Sequence, residues 1–198
     1  MCKKALVSYG NTSLINDKIQ KAKNGEEITV GYLGGSITYG YTVQPDECYA
    51  SLSYNSFAEK FGTGDNVKYC NAGLSGTPSK LGILRMQRDL LYSDPDIVFV
   101  EFAVNDGSDF TYVEAYESIV RTLLEKDIAP VLLFSVTKDD YSAQDYMKKI
   151  GEYYDLPMIS YCDALRYLFE NGRLEWKDFS KDEAHPNPDG HKLIAKMI

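Results

Sequence analysis

The sequence has no long hydrophobic run and no basic stripe. A membrane-spanning helix needs about 18 consecutive apolar residues, and no segment of the 198-residue chain approaches that length. The chain carries 21 Lys and Arg against 29 Asp and Glu, a formal net charge of −8. Neutralising phosphates requires clustered positive charge. These absences argue against nucleic acid, and against an anionic membrane, as the main partner.

Paired cysteines and a secretory signal are also lacking. The four cysteines include no C-x-x-C pair and fit no zinc spacing, so we expect reduced thiols, with Cys70 and Cys162 at least partly buried. The first ten residues, MCKKALVSYG, hold too short an apolar stretch for a signal peptide. As printed, the chain is therefore expected in the cytoplasm, or outside the cell if it is excised from a larger secreted protein.

The composition is that of an ordinary globular protein. Apolar residues make up 44% of the chain, charged residues 25% and aromatic residues 13%, which suits one folded domain over residues 1–198 and argues against disorder. The chain stops at Ile198 inside a helical pattern without a C-cap signal. This ending is also compatible with a C-terminal truncation.

Short β-rich segments alternate with helical patterns. The five predicted strands are Ile28–Leu33, Val67–Cys70, Ile97–Phe102, Pro130–Val136 and Pro157–Tyr161. The third and fourth are almost continuously apolar, which is typical of parallel strands buried on both faces. A first helix is predicted over roughly Leu14–Lys23, and a last helix has Asn187 as its cap and Pro188 at its first position. This alternation predicts an α/β protein, a three-layer α/β/α sandwich around a parallel sheet.

Ligands bind such sheets at the carboxyl ends of the strands, so we expect chemistry in the segments that follow the strands and near the C-terminus. Four segments carry suitable residues: GGSIT at 34–38, NAGLSGT at 71–77, AVNDG at 103–107 and DEAHP at 182–186. They offer a hydroxyl, a glycine backbone, a carboxamide and a carboxylate–imidazole pair. All four would project to the same edge of the sheet.

Ser36, His185 and Asp182 have the residue types that acyl transfer requires. A serine hydroxyl becomes nucleophilic when a base takes its proton, and the base is usually a histidine whose tautomer a carboxylate fixes. Asp182 and His185 are three residues apart, which one tight turn can bring together. The oxyanion needs preorganised donors. The Ser36 N–H, the Gly73 N–H and the Asn105 side-chain amide are the candidates.

Taken in order, the four segments resemble blocks I, II, III and V of the SGNH (GDSL-type) hydrolases, over nearly the whole chain. The resemblance implies a flavodoxin-like sheet of five strands, with Ser36 as nucleophile, His185 as base and Asp182 orienting His185. It further implies an oxyanion hole of Ser36, Gly73 and Asn105, and no metal or other cofactor. The sequence is similar in particular to bacterial carbohydrate esterases that remove O-acetyl groups from plant-wall polysaccharides.

The sequence departs from the family pattern at two positions. Gly35 stands where block I typically has aspartate, and Ala103 stands where block III typically has glycine. Neither departure removes a catalytic group, but the first bears on how the nucleophile turn is held. Ser75 is the rival nucleophile, and we interpret it as a loop residue because it lacks the glycine two positions later that a nucleophile elbow needs. Ser36 lacks that glycine as well.

Other polar residues near these segments have structural interpretations. His191 is expected at the surface of the last helix, and Asp106 is expected to brace its loop. Glu101 is a carboxylate inside an apolar strand and needs partners. It is expected either to face the mouth of the site or to pair with an arginine such as Arg85 or Arg88, and a structural pair is favoured over a catalytic role. A glycosidase-type acid pair of Glu101 and Asp106 is disfavoured, because no substrate-binding pattern accompanies it.

Tyr39, Tyr41 and Trp176 are candidates for the rim of the site. The two tyrosines follow Ser36 closely, and Trp176 lies nine residues before His185. Such rings could stack on a sugar, although ordinary packing explains each of them equally well. These three residues are therefore candidate substrate contacts.

These features favour a serine esterase for small acyl esters, in particular O-acetyl groups on carbohydrate, because a long-chain lipase would need an apolar lid segment that is not present. The expected partner is a small-molecule or oligosaccharide ester. Two alternatives stay open: a thioesterase or lysophospholipase with the same triad, and a carbohydrate-binding pseudoenzyme on the same fold.

Overall fold

The computed structural model describes residues 2–198, with side chains from Lys3 onward. The α-helices are α1 Cys2–Ala5, α2 Ser13–Lys23, α3 Ser36–Tyr39, α4 Tyr49–Phe61, α5 Ser79–Asp89, α6 Phe110–Glu125, α7 Gln144–Tyr153, α8 Tyr161–Glu170, α9 Trp176–Phe179 and α10 Pro188–Ala195. Two short 3₁₀ helices span Pro45–Glu47 and Leu91–Ser93. As expected, α10 begins with Asn187 as its cap, whose side chain accepts from the Gly190 N–H.

One six-stranded sheet forms the centre of the molecule. Its strands are β1 Leu6–Ser8, β2 Ile28–Gly34, β3 Val67–Gly73, β4 Ile97–Glu101, β5 Ala129–Phe134 and β6 Met158–Ser160. Their order across the sheet is β1-β6-β5-β4-β2-β3. β1 pairs antiparallel with β6, and all the other neighbours are parallel. The parallel strands have a flavodoxin-like order whose switch point lies between β2 and β4.

This architecture confirms the predicted α/β class and adds one strand to the predicted five. β1 lies outside the prediction because three residues at a sheet edge show too little alternation to be recognised. β3 continues beyond the predicted end at Cys70, because its pairing with β2 runs in register until Gly73 lies opposite Gly34. The sheet therefore carries both chain segments to the same edge.

The central strands are buried on both faces, since helices cover each side of the sheet. Tyr32 of β2 and Phe99 of β4 stack on one face, with ring centroids 5.0 Å apart, beneath helices that include α4 and α10. Leu33 and Val100 face the other side and pack with α5, α6 and α7. This rigid frame fixes the loops at the carboxyl ends of the strands.

The described thiols are free. Cys48 and Cys162 are buried and Cys70 is half-buried, while the side chain of Cys2 lies outside the described residues. Burial raises the pKa of Cys48 to about 11 and that of Cys162 to about 12, so both stay protonated at neutral pH. Among residues 2–198, no helix is both long enough and apolar enough to cross a bilayer.

Candidate active site

Ser36 begins α3 directly beyond the carboxyl end of β2. Two glycines allow this tight connection. A Cβ at Gly34 would lie 2.1 Å from Thr38 Oγ1, and a Cβ at Gly35 would lie 2.2 Å from Asn105 Oδ1. The turn brings Ser36 to the switch point of the sheet. Its N–H is one of the first helical amides, which have no acceptor inside the helix.

His185 lies beside Ser36, although 149 residues separate them in the chain. His185 Nε2 is 2.9 Å from Ser36 Oγ, and His185 Nδ1 is 2.8 Å from Asp182 Oδ2. We assign the ring proton to Nδ1, because an ionised carboxylate can only accept. Nε2 then accepts the Ser36 hydroxyl proton. This arrangement is able to activate the hydroxyl as a nucleophile.

A tight turn that includes Ser180 holds the imidazole in place. Asp182 Oδ1 accepts from the N–H groups of Ala184 (2.9 Å) and His185 (2.7 Å), and Ser180 Oγ donates to the His185 carbonyl (2.6 Å). Partial burial opposes ionisation of Asp182, but the hydrogen bonds from Ala184 and His185 keep its pKa below the ordinary value. The carboxylate that faces the imidazole is therefore charged at neutral pH.

Gly73 packs against α3 with its N–H already engaged. A Cβ at Gly73 would lie 2.3 Å from the Tyr39 nitrogen, so only glycine permits this approach. The Gly73 N–H donates to Asn71 Oδ1 at 2.9 Å, and Asn71 Nδ2 donates to the Thr38 carbonyl at 2.8 Å. A substrate oxygen here would have to share the Gly73 proton with Asn71. The role of Asn71 was not predicted from the sequence, where its signal is its position two residues before Gly73, the spacing of an Asx turn.

The Asn105 carboxamide packs against Gly35 beside the nucleophile turn. Asn105 Oδ1 is buried and has no hydrogen-bond partner among the described residues. The N-cap of α6 is Asp109, whose side chain accepts from the Thr111 N–H. The Asn105 amide is thus not used as a helix cap and lies next to the residue that bears the hydroxyl.

The three aromatic candidates occupy different places around the site. Tyr41 is well exposed, and its ring centroid is 5.0 Å from that of His185. Tyr39 is exposed at the end of α3. Trp176 packs on two phenylalanines, and its Nε1 donates to the Asp182 carbonyl at 2.7 Å. Tyr41 therefore lies against the imidazole and Tyr39 ends the helix that Ser36 begins, whereas Trp176 supports the turn that carries Asp182.

His191 is buried, so the prediction of a surface position is wrong. Its Nδ1 accepts the Tyr49 N–H at 3.1 Å. Burial, with a smaller contribution from His185, lowers the pKa of His191 to about 4. His191 and Ile194 lie three residues apart on the buried face of α10, and the helical period therefore directs both side chains inward.

Glu101 has no arginine partner in the part of the chain that the structure describes, so the predicted pairing is also wrong. Its carboxylate accepts from the hydroxyl groups of Ser135 and Thr38. Arg85 donates instead to two backbone carbonyls, one in the last residue of β2 (2.9 Å) and one in the penultimate residue of β3 (2.7 Å). Arg88 pairs with the adjacent aspartate. Arg85 thereby ties together the two strand ends that carry Ser36 and Gly73, a role that no sequence signal revealed.

Two further predictions concern the surrounding loops. Asp106 braces its loop as expected, because it accepts from the Ser79 N–H (2.7 Å) and the Tyr146 hydroxyl (2.8 Å). Ser75 is exposed in the turn after β3. Among the side chains of residues 3–198, no three His, Cys, Asp or Glu are grouped so that they could hold a metal ion.

At the switch point of this flavodoxin-like sheet, a serine hydroxyl is hydrogen-bonded to an imidazole, and the imidazole is hydrogen-bonded to a carboxylate. This arrangement is typical of serine-dependent acyl hydrolases. Residues 32–193 match the model of the GDSL-like Lipase/Acylhydrolase family. Because this match covers most of the chain, the protein belongs to that family, a family of hydrolases with esterase members. The family match confirms the resemblance drawn from the four sequence segments.

Two curated relatives are similar in sequence to this chain over most of their own length. Thioesterase 1/protease 1/lysophospholipase L1 of Escherichia coli (strain K12) is 25% identical over 181 residues, covering 86% of this chain and 81% of the relative. An arylesterase of Vibrio mimicus is 23% identical over 176 residues, covering 84% of each.

Solved structures share the fold. A two-domain esterase (CEX) active on acetylated mannans superposes with a TM-score of 0.94 and 32% identity, covering 99% of this chain and 54% of that one. The present chain therefore spans about half the length of that esterase. The acetyl xylan esterase AlAXEase has a TM-score of 0.71 and 21% identity, covering 86% of this chain and 97% of its own; this likeness concerns the fold.

Proposed function

We propose that this protein is a serine esterase that releases small acyl groups, O-acetyl groups on carbohydrate in particular. The observation that carries the proposal is a pair of hydrogen bonds, one between Ser36 Oγ and His185 Nε2 and one between His185 Nδ1 and Asp182. These contacts supply a nucleophile, its base and the group that orients the base, which are the parts that ester hydrolysis through an acyl-enzyme requires.

In the first half-reaction, His185 takes the Ser36 hydroxyl proton while Oγ bonds to the ester carbonyl carbon. The Ser36 N–H and the Asn105 amide, with a shared Gly73 N–H, stabilise the oxyanion. The C–O bond to the alcohol then breaks, and the imidazolium gives its proton to the departing oxygen. In the second half, His185 deprotonates a water that attacks the acyl-enzyme, which releases the acid and restores Ser36.

A carbohydrate substrate is supported by one relative and by the rim of the site. The esterase with 32% identity is active on acetylated mannans and was co-crystallised with mannopentaose. In the present chain, Tyr39 and Tyr41 are exposed beside the nucleophile turn and the imidazole. Tyrosine combines an apolar ring with a polar tip, which suits contact with a sugar ring that carries hydroxyl groups.

A thioesterase or lysophospholipase activity is the second candidate. It is favoured by the E. coli relative and by a strip of exposed leucines close to the segment after β3. Leu74, Leu81 and Leu84 line a shallow cavity of about 290 Å³. An acyl chain longer than acetyl would gain apolar contact there.

Substrate comparison with active-site labelling tests the proposal. We expect acetate release from acetylated manno- and xylo-oligosaccharides, hydrolysis of p-nitrophenyl acetate at a higher kcat/KM than the octanoate ester or a palmitoyl thioester, and loss of turnover after treatment with a serine-directed fluorophosphonate. The adduct should map to Ser36 by peptide mass spectrometry. A higher kcat/KM on the long thioester would favour the second candidate. A folded protein with neither turnover nor adduct would point to the pseudoenzyme.

Gly35 and Asn105 provide a prediction about the oxyanion donors. Asn105→Ala should lower kcat by about 10²–10³-fold with little loss of stability, because its amide is not a helix cap. Gly35→Ala should lower kcat in the same direction, because the new methyl group would lie 2.2 Å from Asn105 Oδ1 and displace the carboxamide. Steady-state kinetics on p-nitrophenyl acetate measures both effects.

A double variant tests whether the losses of kcat in Gly35→Ala and Asn105→Ala have the same cause. The matched control is Asn55→Ala, because Asn55 is exposed in α4. If alanine at position 35 acts by displacing Asn105, Gly35→Ala combined with Asn105→Ala should be no slower than Asn105→Ala alone. The control should retain the wild-type kcat. Wild-type activity in Asn105→Ala would exclude its amide as an oxyanion donor.

A further inference from the structure

A cluster of buried polar side chains, Glu101, Thr38, Ser135 and Tyr49, lies beneath the nucleophile turn and takes no part in the proposed chemistry. The Glu101 side chain is fully buried at the end of β4. It accepts from Ser135 Oγ and, at 3.4 Å, from Thr38 Oγ1. Thr38 Oγ1 is also 2.8 Å from the Tyr49 hydroxyl. Because the Thr38 hydroxyl has one proton, the consistent direction of donation is from Tyr49 to Thr38 and from Thr38 to Glu101.

A carboxyl group in this place costs stability. Burial raises the pKa of Glu101 to about 7, the nearby Asp106 adds to the rise, and the hydrogen bonds from Ser135 and Thr38 oppose it. A buried ionisable group without a facing cation stabilises a fold less well than an apolar side chain of the same size. Stability of the fold therefore does not explain a carboxyl group at this position, and its role must lie in the structural element that its hydrogen bonds fix.

The element held by these bonds is α3, which cannot maintain its own position. It is a single turn of four residues, without a side-chain cap at its start, and it ends at Gly40 in the left-handed conformation. An isolated turn of this length is unstable. Thr38 anchors it at two points, because its hydroxyl reaches Glu101 and its carbonyl accepts from Asn71 Nδ2 at 2.8 Å. The place of Ser36, two residues earlier, follows from these anchors.

We propose that Glu101 is a positioning residue for the nucleophile and that it acts through the Thr38 hydroxyl to hold Ser36 Oγ within reach of His185 Nε2. This inference rests on the proposed function, since it takes Ser36 as the nucleophile. A misplacement of about 1 Å can cost about 10²-fold in rate. Loss of the link should lower kcat by at least about tenfold and leave KM unchanged, because Glu101 and Thr38 are both buried away from the substrate surface.

Thr38→Val removes the hydroxyl with little change of shape, and Thr38→Ser retains it. We expect the valine variant to lower, by the same factor, both kcat for p-nitrophenyl acetate and the rate of fluorophosphonate labelling at Ser36, and the serine variant to recover most of both. The matched control is Ser53→Ala, which deletes a buried 2.8 Å hydrogen bond to Tyr32 outside α3 and should keep the wild-type kcat. Wild-type rates in Thr38→Val, or an equal loss in Ser53→Ala, overturn the proposal.

Glu101→Gln tests whether the Glu101 carboxylate is the group through which Thr38 acts on kcat. It also replaces the Thr38→Val experiment if far-UV circular dichroism shows that variant to be unfolded. Glutamine keeps the shape but loses the charge that strengthens the bond from Thr38, so kcat should fall with KM unchanged. The double variant Glu101→Gln with Thr38→Val should have the same kcat as Thr38→Val alone, because both substitutions break the same link. An unchanged kcat in Glu101→Gln, or additive losses, overturns the proposal. The failure of the proposed function is a separate result, because the wild-type protein itself would then show neither turnover nor labelling.

Discussion

Ser36→Ala should lower kcat for p-nitrophenyl acetate by about 10⁴- to 10⁶-fold and leave the melting temperature nearly unchanged. The substitution removes the atom that forms the acyl-enzyme, while the oxyanion donors stay in place and support only slow attack by water. Stability should change little, because the variant loses a single hydrogen bond, to His185 Nε2, at a turn on the edge of the sheet. Burst and steady-state kinetics, together with thermal unfolding, measure both quantities.

Ser75→Ala is the matched control for this experiment, since Ser75 is the other serine in the motif segments and is exposed. We expect wild-type kcat and normal labelling in this variant. An active Ser36→Ala protein, or a fluorophosphonate adduct that maps to Ser75, would refute the assignment of the nucleophile.

Asp182→Asn should reduce kcat by about 10⁴-fold while keeping the shape of the turn. The asparagine oxygen can still accept the N–H groups of Ala184 and His185, which now bond to Asp182 Oδ1. The amide nitrogen, however, would face His185 Nδ1 as a donor and force the ring proton onto Nε2. In that tautomer Nε2 cannot accept the proton of Ser36.

Glu183→Gln controls for the loss of a carboxylate from the same turn, because Glu183 pairs with Lys138 and not with the imidazole. It should retain the wild-type kcat, and an equal loss of kcat in both variants would contradict the assigned role of Asp182.

The pH dependence of the free energy of unfolding provides a second test of the Asp182 carboxylate. Since the folded pKa of Asp182 is lowered, its contribution to stability is present above the ordinary carboxyl pKa and is lost as the pH falls through the folded pKa. The stability difference between wild type and Asp182→Asn should therefore shrink on acidification.

Most of the fold could be predicted because the signals for it are local. The apolar segments at Ile97–Phe102 and Pro130–Val136 became the buried central strands β4 and β5, since strands covered on both faces need apolar residues at nearly every position. The edge strand β1 has only three residues, and its pairing with β6 depends on a partner about 150 residues further along the chain. A pattern confined to neighbouring residues holds no information of that kind.

The candidate site was predictable to the extent that residue type and turn chemistry define it. The four segments contain Ser36, Asn105, Asp182 and His185 in contexts that suit their proposed roles, and the three-residue spacing of Asp182 and His185 is the spacing that the tight turn uses. The residues that hold this machinery in place were not predictable. Arg85, Asn71 and Ser180 act on backbone groups, and the positions of those groups follow from the packing of the strands.

By itself, the sequence determined the α/β class, the succession of strands and helices along the chain and the family, because strand–helix periodicity and short motifs are properties of consecutive residues. The tertiary structure alone decided that Ser36 meets His185 across 149 residues, that the Gly73 N–H is engaged by Asn71, that His191 is buried and that hydroxyl groups surround Glu101. Each of these depends on which side chains come together when separate elements pack. That choice is made by the whole arrangement of the sheet and its helices, and not by the residues adjacent in the chain.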